Sequence, residues 1–89
     1  MTTMRNPSSR DRSQKAPDFA EVPYGLTQGE FNVLRLLTEG LYDHQISEAL
    51  DLSESTIKNK VNAIVRKMNT RSRTEAGVRA IREGLFPRD

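Results

Sequence analysis

Amide and cationic side chains recur along one side of the segment from Ser53 to Met68, which reads SESTIKNKVNAIVRKM. At about 100° per residue, one face of a helix collects Ser55, Lys58, Asn59, Asn62 and Arg66. The opposite face collects Ile57, Val61, Ile64, Val65 and Met68. Amide, ammonium and guanidinium groups can bind base edges and phosphates, whereas the apolar stripe can pack into a core. The segment therefore predicts a helix with one buried face and one ligand-binding face.

The residues before this helix predict how it is positioned. Ser53 is a good N-cap, and Asp51-Leu52-Ser53 makes a short connection from a preceding segment, Asp43 to Leu50. A helix, a tight turn and a second helix with an exposed face rich in Asn, Lys and Arg are typical of a DNA-reading helix-turn-helix. On this face Asn59 has the chemistry to pair with adenine, and Lys58 can donate to guanine or phosphate. Arg66 is better placed to bind the DNA backbone.

Charge is distributed unevenly along the chain, although the formal net charge is only +2. Between residues 26 and 54, the single base Arg35 stands against six acidic residues, whereas between 55 and 89 nine bases stand against three acids. This asymmetry focuses a positive field on the half that holds the two-faced helix. Ordinary solvation of two amphipathic helices is the alternative explanation, and charge alone does not separate the two.

Helix-capping signals predict three further helices. Thr27 and Glu30 form a capping box that opens a first helix, about Gln28 to Thr38, which stops at Gly40. Asp43 is predicted to cap a second helix ending at Leu50, with Ile46, Ala49 and Leu50 facing inward. A second box, Ser72 with Glu75, opens a fourth helix that runs to about Glu83 and stops at Gly84. No strand-like alternation of useful length is present, so we expect an all-α, compact four-helix fold.

The fourth helix separates small and large apolar residues onto different sides. Ala76 and Ala80 form a smooth strip, while Val78, Ile81 and Leu85 lie roughly half a turn away. One side is expected to pack against the third helix and the other to remain available to a second copy of the chain. The predicted homodimer contacts are Ala76, Arg79, Ala80 and Glu83. The alternative is that a compact domain covers both sides.

Composition limits the remaining possibilities. The polar, nearly apolar-free start predicts a disordered N-terminal arm over residues 1–24 and a domain over residues 25–89, with Phe19, Val22 and Tyr24 able to dock locally. The absence of cysteine excludes disulfides and cysteine-ligated zinc. No apolar run approaches a membrane span and no secretory signal is present, so a cytoplasmic protein is expected. The single histidine, His44, fits surface solvation with Asp43 and Glu48 better than catalysis, and neither an enzyme nor a cofactor or metal is predicted.

The segment from Leu26 to Phe86 resembles the LuxR/FixJ-type (GerE-type) helix-turn-helix domain of bacterial transcription regulators. The resemblance is carried by Leu26-Thr27-x-x-Glu30, Val33-Leu34, Gly40, Ile46, Leu50, Ser53, Thr56-Ile57-Lys58, Ile64, Lys67-Met68, Arg73-Thr74-Glu75-Ala76 and Gly84-Leu85. It implies that the third helix enters the major groove of double-stranded DNA and that the fourth mediates dimerisation. It also implies DNA-facing roles for Lys58, Asn59 and Asn62, and phosphate contacts near Thr27 and Thr56. The full predicted DNA-binding set is Thr27, Ser55, Thr56, Lys58, Asn59, Lys60, Asn62 and Arg66.

Departures from the family pattern fall close to the predicted interface. Gly29 stands where the family commonly has Arg, and Tyr42-Asp43-His44-Gln45 stands where it has a Ser/Thr-Asn-Lys-Glu run. Lys60 replaces the usual histidine and returns one positive charge. These changes keep open a second hypothesis, that of an interaction module binding RNA polymerase or another regulator without reading DNA. The roughly 25 residues ahead of the domain cannot form a sensor domain, so we expect the input signal to come from elsewhere.

Overall fold

A computed structural model describes residues 22–87, and within this part the chain is entirely helical apart from turns. Within residues 22–87, a 3-10 turn, Pro23–Gly25, precedes four helices. They are α1 (Gln28–Thr38), α2 (Asp43–Leu50), α3 (Glu54–Lys67) and α4 (Arg73–Arg82). The all-α, four-helix prediction is therefore confirmed. Across residues 22–87, every helix is too short or too polar to span a lipid bilayer.

Local sequence explains where α1 and α3 begin. The Thr27 hydroxyl accepts a hydrogen bond from the Glu30 N–H at 3.1 Å, and Glu30 Oε1 accepts one from the Thr27 N–H at 2.9 Å. Ser53 Oγ accepts a hydrogen bond from the Thr56 N–H at 3.1 Å. These bonds satisfy N–H groups that the first turn of a helix leaves unpaired. The predicted capping box at Thr27 and the predicted N-cap at Ser53 are both confirmed.

Two predicted caps are wrong in detail. Asp43 is not the cap of α2 but its first residue; Tyr42 is the cap, and its N–H donates to Gln45 Oε1 at 2.7 Å. Asp43 instead forms an ion pair with Arg73 at the start of α4, a partner too distant in sequence for a local rule to find. At α4, Ser72 caps Glu75 as predicted, but the Glu75 carboxylate accepts from the Arg71 N–H rather than closing the box on Ser72.

Gly40 and Gly84 end α1 and α4 as predicted, because each adopts a left-handed backbone conformation, with φ of +81° and +68°. At Gly40, the N–H of the glycine bonds the Leu37 carbonyl and the following N–H bonds the Leu36 carbonyl. Gly84 makes the equivalent pair of bonds to Ile81 and Ala80. A pair of hydrogen bonds of this kind satisfies the last carbonyl groups of a helix. Glycine adopts the required left-handed conformation without steric cost.

The core lies where α1, α3 and α4 meet, with α2 packed against α3. Its buried apolar residues are Leu26, Val33, Leu34, Leu36, Ile46, Ile57, Val61, Ile64, Met68, Ala76 and Ala80. The prediction that three residues of α2 face inward is confirmed for Ile46, which is fully buried, and partly for Leu50, which is half-buried. It is wrong for Ala49, which is exposed because α2 is covered on one side only.

The packed part of the chain begins before Gly25. Val22 and Tyr24 contact the core, and the Tyr24 hydroxyl donates to Glu83 Oε1 at 2.6 Å. The hypothesis that these two residues dock on the domain is confirmed. The rest of the predicted arm, residues 1–21 with Phe19 among them, lies outside the described residues.

The structure corrects the predicted dimer contacts on α4. Ala76 and Ala80 are 0% exposed, so these two side chains are not available to a second copy. Arg79 donates to the Met68 carbonyl oxygen at 2.9 Å and so caps the end of α3. Alanines pack within the domain because their small side chains allow α4 to approach α1 and α3 closely. The large apolar residues on the other side of α4 are exposed instead, with Val78 at 42% and Ile81 at 58%.

Candidate nucleic-acid interface

Helix α3 contacts the other three helices, and this packing fixes which of its faces points outward. Ile57 and Ile64 are fully buried and Val61 is 6% exposed, so the apolar stripe predicted from the sequence is the inward face. At its start, Ser53 Oγ donates to Thr56 Oγ1 at 2.9 Å in addition to capping the helix. The helix is held at both ends, because Arg79 binds the Met68 carbonyl oxygen at its end. A helix anchored in this way presents its outer side chains in a fixed orientation.

The outward face of α3 carries the predicted DNA-binding residues. Ser55, Lys58, Asn59, Asn62 and Arg66 are exposed, whereas Thr56 and Lys60 are half-buried at the edges. Residues 55, 59, 62 and 66 recur at intervals of three and four, so they form one continuous row along the helix. The helix has 14 residues and is therefore about 21 Å long, and an α-helix fits the major groove of DNA, which is about 12 Å wide.

Lys58 and Asn62 also line a groove that runs from α3 to the start of α4. Arg71 and Arg73 line its other side, together with Asp43. Arg73 Nη2 lies 2.6 Å from Asp43 Oδ1, so its charge is largely matched within the domain. Arg71 is exposed, and its side chain adds a positive charge beside the α3 face. Sequence reasoning missed this residue; its position next to the Ser72 cap is the only local signal that could have found it.

The other edge of α3 faces the start of α1, where Thr27 is exposed. Lys67 Nζ lies 2.8 Å from Glu30 Oε1 and 3.3 Å from the Gly25 carbonyl oxygen, which ties the end of α3 to the chain entering α1. Burial raises the pKa of Glu30, but hydrogen bonds from Lys67 and the Thr27 N–H, and the charges of Lys67 and Lys60, lower this pKa further than burial raises it. Glu30 is therefore a charged buried anchor at this edge.

The predicted sites thus lie on the outer face of α3 and at its edge toward α1, and Thr56 is half-buried in the first turn of α3. Lys58, Asn59, Asn62 and Arg66 share the face with Ser55. Thr27 lies across the α1 edge near Lys60, since both side chains come within 4.0 Å of the point where a side chain would begin at Gly29. The roles of these residues toward DNA stay predictions.

The cluster of Asp43, His44 and Glu48 has no metal-binding geometry. Asp43 is paired with Arg73, and the exposed ring of His44 stacks on that of Tyr42 with 6.1 Å between centroids. Among residues 22–87, no three histidine or carboxylate side chains are close enough together to hold a metal ion. Ion pairing accounts for Asp43 and ring stacking for His44, and Glu48 is exposed.

Comparison with known proteins agrees with this architecture. Residues 25–80 match the family model for bacterial regulatory proteins of the luxR family. The chain is 45% identical over 71 residues to transcriptional regulatory protein DegU of Brevibacillus brevis, an alignment that covers 74% of this chain and 30% of DegU. It is 39% identical over 61 residues to the nitrate/nitrite response regulator protein NarL of Escherichia coli, covering 68% of this chain and 28% of NarL.

A third relative is the DNA-binding transcriptional activator DevR/DosR of Mycobacterium tuberculosis, 43% identical over 54 residues. That alignment covers 61% of this chain and 25% of the relative. The chain thus spans less than a third of the length of each of these three relatives. The family match covers more than half of the chain, including all of α1, α2 and α3 and most of α4. The chain therefore belongs to the luxR family of bacterial regulatory proteins, and its helix-turn-helix domain is of the kind that binds DNA in transcription regulation.

Proposed function

We propose that α3 lies in the major groove of double-stranded DNA and reads its sequence through Lys58, Asn59 and Asn62. The observation that carries this proposal is the division of α3 into an inward apolar face and an exposed row of amide and cationic groups. Asparagine pairs with both N6 and N7 of adenine, and lysine donates to O6 or N7 of guanine. The remaining predicted contacts, at Thr27, Ser55, Thr56, Lys60 and Arg66, are suited to phosphate oxygens, which position a protein without reading sequence.

We further propose that the protein acts as a homodimer on two half-sites. Val78 and Ile81 support this proposal, since both are large and apolar and are exposed on α4 in the part of the chain that the structure describes. With the two alanines buried, these residues replace Ala76 and Ala80 as the central contacts in the proposed interface. A two-fold dimer would place two copies of α3 one DNA turn apart, about 34–36 Å, and would predict a palindromic operator.

The exposed apolar patch formed by Val78 and Ile81 also supports a second candidate function. A domain that has lost DNA reading could use α4 to bind another regulator or RNA polymerase. Asp43 and the exposed His44 at the start of α2 favour this candidate, because Asp43 brings a negative charge near the DNA-facing side. The ion pair with Arg73 largely cancels that charge, so Asp43 is only weak support for the loss of DNA binding. For either function, the cytoplasm is the compartment in which a bacterial transcription regulator works.

Selection of duplexes from a random DNA pool distinguishes the two functions. The DNA-reading function predicts enrichment of a defined sequence, and binding that weakens steeply as salt is added because phosphate contacts release counterions. Asn59→Ala and Lys58→Ala should fold normally and lose affinity for the selected sequence. If the chain binds no duplex at low salt, the DNA-reading function is wrong and the interaction function leads.

A further inference from the structure

Gly29 and Lys60 occupy one site between α1 and α3. A Cβ atom built at Gly29 would lie 3.0 Å from Lys60 Nζ and 3.5 Å from Lys60 Cε. The end of the lysine side chain therefore fills the space that a side chain at position 29 would take. Lys60 is half-buried as a result, unlike its exposed neighbours Lys58 and Asn59.

Backbone geometry does not require glycine at this position. Gly29 has no left-handed φ, in contrast to Gly25, Gly40 and Gly84. It lies in the first turn of α1, where glycine lowers helix stability relative to alanine. The feature that a side chain would disturb is therefore the position of the Lys60 ammonium and not the course of the backbone.

The ammonium of Lys60 keeps hydrogen-bonding capacity at this site. Its charge contributes to lowering the pKa of Glu30, but the direct bonds to the Glu30 carboxylate come from Lys67 and the Thr27 N–H. Within residues 22–87, no acidic side chain forms a salt bridge with Lys60. An ammonium group has three N–H donors. The ammonium group thus lies beside α1, close to the exposed Thr27, and its N–H groups can donate hydrogen bonds to a ligand.

We propose that Gly29 is a positioning residue that holds the Lys60 ammonium against the first turn of α1, from where it binds a DNA phosphate. This inference rests on the proposed DNA-reading function and adds a specific coupling between two helices to it. A Cβ atom at position 29 requires the ammonium to shift by a few tenths of an ångström, and the flexible lysine stem can yield without disturbing the fold. The ammonium then has to be brought back into place when DNA binds, and this ordering cost weakens the phosphate contact.

A double-mutant cycle on the full chain tests this coupling, with Gly29→Ala, Lys60→Met and the double variant. Methionine keeps the length of the stem and removes the charge, so packing is largely retained. Affinity for the selected duplex and its salt dependence are measured for each variant, and melting temperatures monitor the fold. Asn32→Ala is the matched control, because it changes α1 one turn further along, where the side chain hydrogen-bonds only Gln28 among the described residues.

We expect Lys60→Met to reduce the slope of log affinity against log salt by about 0.9, the contribution of one phosphate contact. Between roughly 50 and 200 mM salt, wild-type affinity then falls about 3.5-fold more than that of the variant. Gly29→Ala should reduce the slope in the same direction while its melting temperature stays equal to or above that of the wild type. In the Lys60→Met background, Gly29→Ala should have no further effect, and Asn32→Ala should match the wild type.

The outcomes separate this inference from the function on which it rests. Wild-type slope in Gly29→Ala, or additive losses in the double variant, would overturn the coupling between the two residues. If Lys60→Met binds like the wild type while Asn59→Ala loses affinity, DNA reading by α3 stands and the role of Lys60 is wrong. If the wild-type chain binds no duplex, both proposals fail.

Discussion

Helices α3 and α4 are both amphipathic and both pack on α1, but their exposed sides differ in kind. The outer side of α3 carries hydrogen-bonding and charged groups such as Asn59 and Arg66, whereas α4 exposes Val78 and Ile81. Polar outer groups bind a partner that offers base edges and phosphates, while large apolar groups bind another protein surface. Both helices bury apolar residues on their inner faces, but their outer faces are suited to different partners.

A charged substitution on the inner face of α3 should have the largest effect on the stability of the fold. Val61 is 6% exposed, so Val61→Asp would place a charge without a partner in the core. We expect a loss of several kcal/mol, about 3–5, in the free energy of unfolding, which is comparable with the total stability of a domain of this size. Circular dichroism during thermal unfolding should show a largely unfolded variant. A cooperative melt near the wild-type temperature would mean that this face is not packed as described.

The edge between α3 and α1 should respond to acid. The lowered pKa of Glu30 means that its charged form stabilises the fold above the ordinary value of 4.5, and that this contribution is lost as pH falls through the folded-state pKa. Glu30→Gln should cost about 1–2 kcal/mol near neutral pH, because it removes a charge-assisted bond to Lys67. Urea unfolding at several pH values should show the difference between wild type and variant shrinking below about pH 4.5. A difference that is constant with pH would contradict this role.

The apolar side of α4 should matter least for stability. Ile81 is 58% exposed, so Ile81→Ser should change the unfolding free energy by no more than about 0.5 kcal/mol. If this side mediates dimerisation, sedimentation equilibrium should show a weaker dimer for the variant. The matched control is Glu48→Ser, an exposed position on α2 outside the patch. Equal association of wild type, variant and control would remove α4 from the proposed interface.

The comparison also shows which features the sequence could predict. The inner face of α3 and the caps at Thr27 and Ser53 depend on residues three or four positions apart, and each was predicted correctly. The Asp43–Arg73 ion pair and the burial of Ala76 and Ala80 depend on how helices distant in sequence pack together. Local sequence patterns do not determine this packing. A strip of small residues predicts close packing, but it does not identify the partner, which here lies within the same domain.

The contact between Lys60 and the space at Gly29 belongs to the same class of feature. The resemblance to the luxR family identified both positions as departures from the usual pattern. Only the packing of α1 against α3 shows that the two departures meet in one place.

The role of Asn59 provides the most direct test of the central claim that the outer face of α3 reads DNA. Affinities of the wild type, Asn59→Ala and Arg66→Ala should be measured for the selected duplex and for duplexes with each base pair of a half-site replaced. We expect Asn59→Ala to cost about 1–3 kcal/mol and to become insensitive to replacement of one or two base pairs. Arg66→Ala should lower affinity almost uniformly and reduce the salt slope by about one. If Asn59→Ala discriminates among the duplexes as the wild type does, this residue does not read sequence and the claim fails.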